Sequence, residues 1–273
     1  MKRINNNYHM VEVSPYPLYS ALSIITVMIS SILLINNYKI YPYYAYGVEI
    51  PYIINIIGFI ILNSNLYLWW KDIIKEGLYR GEHTKKVEKG LNIGFILFVI
   101  SELIIFASFF YSYFYNSLIP DILLSGIWPP KGIISINSNS IPLLNTALLF
   151  FSGFTITGAQ YLISINNKKD SIIYIFITLL LALIFIILQY IEYKASPFTI
   201  NDSIFGSSFF LLTGFHGLHV IIGFLFIFFA LIRLNKLHFS SNHSLHFSFS
   251  ALYYHFVDII WIFLFLSLYL WSQ

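Results

Sequence analysis

The stretch at residues 89–115 reads KGLNIGFILFVISELIIFASFFYSYFY. It is almost wholly apolar and long enough to cross a bilayer, because a helix rises about 1.5 Å per residue and about 20 apolar residues span the hydrocarbon core. Glu102 sits near its middle. A carboxylate at that depth costs roughly 2.5–3.5 kcal/mol on insertion scales. It must therefore be protonated, paired, or turned toward other helices. Two readings follow: a proton-linked or lipid-linked carboxyl inside a helical bundle, or a buried hydrogen-bonding group that fixes helix packing.

The rest of the chain repeats this pattern. Apolar runs at about 18–35, 50–70, 89–115, 142–165, 171–190, 203–232 and 247–271 predict seven transmembrane helices. Only 10% of the 273 residues are charged and 58% are hydrophobic, against about 25% charged in a soluble domain. The fold class expected is an all-α polytopic membrane protein, a seven-helix bundle forming a single domain over 1–273. With no cysteine, a disulfide framework and Cys-ligated metal are excluded. The start, Met1 to Pro17, lacks the apolar core of a signal peptide, so no targeting segment is expected. Heavy use of Ile, Asn, Tyr, Phe and Lys hints at an AT-rich genome such as an organelle's.

Seven spans put the termini on opposite sides. Of the 15 Lys and Arg residues, only Lys39, Lys131 and Lys194 fall away from the N-terminal side. The other twelve, from Lys2 and Arg3 through Lys71, Lys75 and Arg80 to Arg233 and Lys236, share it. The positive-inside rule then places the N-terminus on the matrix or cytoplasmic face. The connection after the first span carries Asn36, Asn37 and Lys39, and Trp128-Pro129-Pro130 reads as a stiff surface turn. Ser152, Gly153, Gly158 and Ala159 make the fourth span suited to close packing.

Two constellations could carry chemistry. After the second span, Trp69 and Trp70 stand beside Lys71, Asp72, Lys75 and Glu76. A helix continuing through them sets basic and acidic ridges side by side. That suits a phospholipid headgroup, with cations for phosphate, Glu76 for an ethanolamine or glycerol group and Trp70 for acyl chains. On the residues alone an ordinary aromatic belt above a positive-inside loop, which is routine, is the favoured reading. In the sixth span, His216 and His219 are three apart and share a face. His255 and Asp258 share one on the seventh. Histidines ligate haem or metal, but no full ligand set is visible, and an interhelical polar network with Glu102 is the competing reading.

The motifs run in an order that resembles the haem–copper oxidase subunit III family, and within it the mitochondrial cytochrome c oxidase subunit 3 type. They include Tyr8-His9-Met10-Val11, Trp69-Trp70-Lys71-Asp72, Gly81-Glu82-His83-Thr84, Ser101-Glu102 and Trp128-Pro129-Pro130. Further along come Pro142-Leu143-Leu144-Asn145-Thr146, Phe198-Thr199-Ile200-Asn201-Asp202, Thr213-Gly214-Phe215-His216-Gly217-Leu218-His219 and Tyr254-His255-Phe256-Val257-Asp258.

The resemblance implies seven helices, with the first two separated from the other five by a lipid-filled cleft. It implies a non-catalytic core subunit without a metal or redox centre of its own, beside a catalytic subunit I. Haem a, haem a3 and copper would lie in partner subunits. The complex would oxidise cytochrome c, reduce oxygen and pump protons. This subunit would support proton uptake and protect against inactivation during turnover. The family's carbodiimide-reactive carboxyl matches Glu102, and its phospholipid contacts match Trp70, Glu76, His83 and Arg233. His216, His219, His255 and Asp258 are then expected as a polar network.

Implied partners are oxidase subunits I and II, nuclear-encoded accessory subunits and phospholipids, not nucleic acid, with supercomplex assembly left open. The implied location is the mitochondrial inner membrane, with the N-terminus in the matrix and the C-terminus in the intermembrane space. The chain departs from the family's pattern at Lys71 and Lys75, where Arg is usual, and at Glu82-His83, where the family has His-His. It departs again at Gly158-Ala159-Gln160-Tyr161, where the family has Trp-Ala-His-His. A stand-alone transporter using Glu102 and Asp258, or a di-haem protein using His216, His219 and His255, are the rival classes.

Overall fold

A computed structural model describes residues 8–35, 50–121, 126–240 and 244–272. Lys2, Arg3, Lys39 and the connection at Asn36 and Asn37 lie outside the described residues. The described chain is helical: α1 Tyr16–Ile35, α2 Ile50–Leu78, α3 Lys85–Leu118, α4 Ile141–Ser164, α5 Lys168–Ala195, α6 Ser203–Asn235 and α7 Leu245–Leu264, the last continuing as a π-helical turn, Phe265–Leu270. All seven are long and apolar enough to cross a membrane.

Several helices outrun their apolar cores. The second runs on through the two tryptophans and the charged ridges to Leu78, and the fifth takes in Lys168 at its start and Ala195 at its end. Charge does not stop a helix that has left the hydrocarbon; capping and glycine do. Asn167 caps α5, its side chain accepting from the Asp170 backbone N–H. The turn that follows α2 uses Gly81 at φ 64°, in the left-handed region that glycine adopts without strain.

Two compact units make up the chain, Met1–Leu91 and Asn92–Gln273. In the first, α1 packs on α2 through small and polar residues. Ser20, Ser23 and Ser30 are buried, whereas Leu22, Ile25, Met28 and Ile32 face outward. Asn65 donates to Ser20 Oγ at 2.6 Å and to the Tyr16 carbonyl at 2.9 Å. Asn55 reaches Ser31 Oγ at 2.8 Å and Ser30 Oγ at 3.0 Å. Between them Gly58 lets the helices close: a Cβ there would stand 2.8 Å from Val27 Cγ2.

The second unit is held by rings. Phe185, Phe198, Phe205, Phe209, Tyr254, Trp261 and Tyr269 are buried among α4 to α7. Trp261 donates its indole N–H to Thr146 Oγ1 at 3.0 Å. Helix α3 joins them through its aromatic side chains: Phe95 stacks on Phe249 at 4.4 Å, Phe109 meets Phe215 at 4.9 Å, and Tyr113 donates to the Ser267 carbonyl at 2.9 Å. The Trp128-Pro129-Pro130 turn does not simply lie on the surface. Trp128 sits edge-on to Tyr113 and to Phe205, each at 5.6 Å, and Pro130 is buried.

Candidate functional site

Glu102 projects from α3 toward α6, where its Oε2 lies 2.9 Å from His219 Nε2. Both side chains are largely withdrawn from the surface, with 20% and 6% exposure. The other ring nitrogen of His219, Nδ1, stands 2.7 Å from the Phe215 carbonyl one turn back. A carbonyl oxygen only accepts, so Nδ1 carries a proton and donates it. The 2.9 Å contact then needs one proton of its own. Either a carboxylic acid donates to neutral imidazole, or an imidazolium donates to a carboxylate. Phe106 meets the His219 ring edge-on at 5.0 Å and Tyr253 stacks beside it at 6.2 Å, which shields the pair on two sides.

His216, one turn away on α6, does not join that pair. It is 1% exposed, lies between Phe185 and Trp261 at ring distances of 5.9 and 5.1 Å, and among the described residues has no hydrogen-bond partner at either nitrogen. The residues on α7 form a separate group facing α4. His255 Nε2 is 3.2 Å from Thr157 Oγ1, and its Nδ1 is 4.0 Å from Asp258 Oδ2. Gly153 makes room for Asp258, whose Oδ2 lies 3.0 Å from where a Cβ would stand. The structure thus brings Glu102 to His219 and His255 to Asp258, and leaves His216 among aromatic rings.

A further polar centre escaped the sequence reading. Glu192 is 2% exposed; its Oε1 accepts from Tyr269 Oη at 2.5 Å and from Gln189 Nε2 at 3.2 Å, while Asn145 donates to Gln189 Oε1 at 3.3 Å. The apolar run in α5 gave out before Glu192, so the residue read as lying beyond the membrane. Its i,i+3 spacing from Gln189 was the available signal.

The residues matched to lipid contacts lie in both units. In the first, Trp70 is half exposed and Glu76 and His83 stand near the end of α2, His83 packing against Gly77. Lys75 pairs with Asp72 at 2.7 Å and Arg80 with Glu12 at 3.2 Å. The Glu12 carboxylate holds the Arg80 guanidinium above its ordinary pKa. In the second unit, Arg233 ends α6 with its guanidinium 4.8 Å over the Phe239 ring. Among the described residues it has no acidic partner within ion-pair distance, and its Nε has no hydrogen bond. Burial, Arg233 and Lys236 together keep nearby His238 below its ordinary pKa. A part-buried guanidinium beside aromatic surface, without an acidic partner among the described residues, is suited to an anionic headgroup.

With this geometry in view, likeness to known proteins is decisive. The family profile described as Cytochrome c oxidase subunit III matches residues 6–273. Cytochrome c oxidase subunit 3 of Drosophila melanogaster is 43% identical over 98% of each chain. That of Pan troglodytes is 43% identical over the full length of both. The chain belongs to the cytochrome c oxidase subunit III family.

Proposed function

We propose that this chain is the non-catalytic third core subunit of a membrane oxidase that passes electrons from cytochrome c to oxygen and pumps protons. The observation that carries this is the unbroken, full-length match to subunit III proteins. The chain sits as one polytopic domain in the mitochondrial inner membrane, with its N-terminus in the matrix. The excess of Lys and Arg on the N-terminal side supports that orientation. Subunits I and II, accessory subunits and phospholipids are its partners, and haem a, haem a3 and copper belong to those other subunits.

Within the complex the chain steadies subunit I and supports its proton uptake. Glu102 and His219 supply a shielded proton-sharing pair for this role. Trp70, Glu76 and His83 at the end of α2, and Arg233 at the end of α6, hold phospholipid headgroups. Their combination of indole, carboxylate, imidazole and a guanidinium that has no acidic partner among the described residues supports that assignment.

The test is purification through this chain in a mild, lipid-sparing detergent, followed by a reduced-minus-oxidised spectrum. Bands of a-type haem in the complex, lost when the chain is separated, are expected. Haem retained by the isolated chain would overturn the non-catalytic assignment, and a colourless preparation without large partners would overturn the oxidase assignment.

A further inference from the structure

We infer that His9, Glu76 and Glu82 form a binding site for a divalent transition-metal cation of the zinc type, closing the N-terminal segment onto the end of α2. All three residues belong to the first unit. Each offers one ligand atom, and these atoms lie within 4.8 Å of one another. One imidazole turns a nitrogen toward each carboxylate. His9 Nδ1 is 3.0 Å from Glu82 Oε2, and His9 Nε2 is 3.4 Å from Glu76 Oε2. Nε2 is buried and makes no hydrogen bond among the described residues, although a carboxylate oxygen stands that close.

With the ring proton on Nδ1, the side nearer Glu82, the Nε2 lone pair faces Glu76. Two electron-rich atoms in that position repel unless a cation lies between them. Their separation fits such a cation. Two bonds of about 2.0–2.1 Å meeting at a tetrahedral angle put their ligand atoms about 3.4 Å apart. The 3.0 Å separation of Nδ1 from Glu82 puts a carboxylate within reach of the other N–H, which a metal-bound imidazole ordinarily gives to such a group. One imidazole with carboxylate oxygens is a donor set for zinc-like ions rather than for calcium or magnesium. The nearby cation Arg80 has Glu12 as its principal partner at 3.2 Å, so it leaves the cluster's negative charge largely available. Two features of the chain make the site. Thr84 follows a Glu-His pair rather than His-His, which supplies the second carboxylate, and the helix carries Glu76 beyond the tryptophans to meet it. The site shares Glu76 with the proposed headgroup contact but does not rest on it.

The experiment uses the full chain in detergent–phospholipid micelles, washed with chelator and equilibrated with radioactive zinc. One saturable zinc per chain is expected. The changes His9→Gln and Glu76→Gln should weaken it at least tenfold, and Glu82→Gln by roughly 10–100-fold. Glu82→His, which replaces one acceptor for the Nδ1 proton by another, should retain binding and guards against loss of fold in the other variants. Trp70→Leu, aimed at the headgroup contact, should lose phospholipid phosphate but not zinc. X-ray absorption of the loaded chain should show a nitrogen and oxygen shell with a single imidazole. Absence of saturable zinc would overturn the inference. So would zinc binding that is equal in the wild type and in the His9, Glu76 and Glu82 variants.

Discussion

The two units of this chain solve one problem by opposite means. Between α1 and α2 the buried contacts are serines, asparagines and a glycine, and the large apolar side chains point away. Among α4 to α7 the buried contacts are phenylalanine, tyrosine and tryptophan rings. In water the second arrangement would be expected everywhere. In lipid, apolar surface gains little by leaving one hydrocarbon for another, so close approach and hydrogen bonds hold a helix pair together as well as bulk does. The first unit relies on direction and proximity, the second on volume and interlocking shape.

The sharpest way to test this contrast is to remove volume from the second unit. Trp261→Ala opens a cavity beside Phe185, His216 and Tyr269 and strips Thr146 of its donor. A loss of about 3–5 kcal/mol is expected, read as a lowered midpoint in detergent unfolding. If such a change proved nearly silent, the second unit would not be held by packing. Proximity comes next. Gly58→Leu pushes a side chain into Val27 and should cost about 1–3 kcal/mol, visible as separation of a spin-label pair placed on α1 and α2.

Direction is weaker and should cost less. Asn55→Leu keeps volume but removes the donors to Ser30 and Ser31; a loss of about 0.6–2 kcal/mol is expected, read by the same label distances. A larger effect than that of Gly58→Leu would reverse the ranking of the two forces. Smallest is Glu102→Gln. An amide still donates to His219 Nε2, so assembly and unfolding midpoint should be unchanged, while modification of this position by a hydrophobic carbodiimide should vanish. Loss of the assembled complex would show that the carboxyl is structural.

Much of the architecture was legible in the sequence because lipid allows a chain few options. Seven apolar runs gave seven helices, and Glu102 stood out as a carboxyl without water. What could not be read was partnership. His216 and His219 look alike on a helical wheel. Phe215, whose carbonyl holds one of them, and Phe185 and Trp261, which enclose the other, decide their difference. Glu192 was invisible for a related reason: it lies where hydropathy fades, but Tyr269, far along the chain, covers it. His9 belongs to a motif that says nothing of its neighbours, and only the fold carries it to Glu76 and Glu82.

The Phe215 carbonyl has one more consequence. By keeping a proton on His219 Nδ1, it leaves the contact with Glu102 two forms, acid with neutral ring or carboxylate with charged ring. Both have zero net charge. A proton hopping across that 2.9 Å gap reverses a local dipole without changing the total charge buried in the low-dielectric interior. The pair can therefore answer the field of a neighbouring group by flipping its polarity, and in its charged form the attraction between the two ions offsets part of the desolvation cost that a lone ion would meet in full.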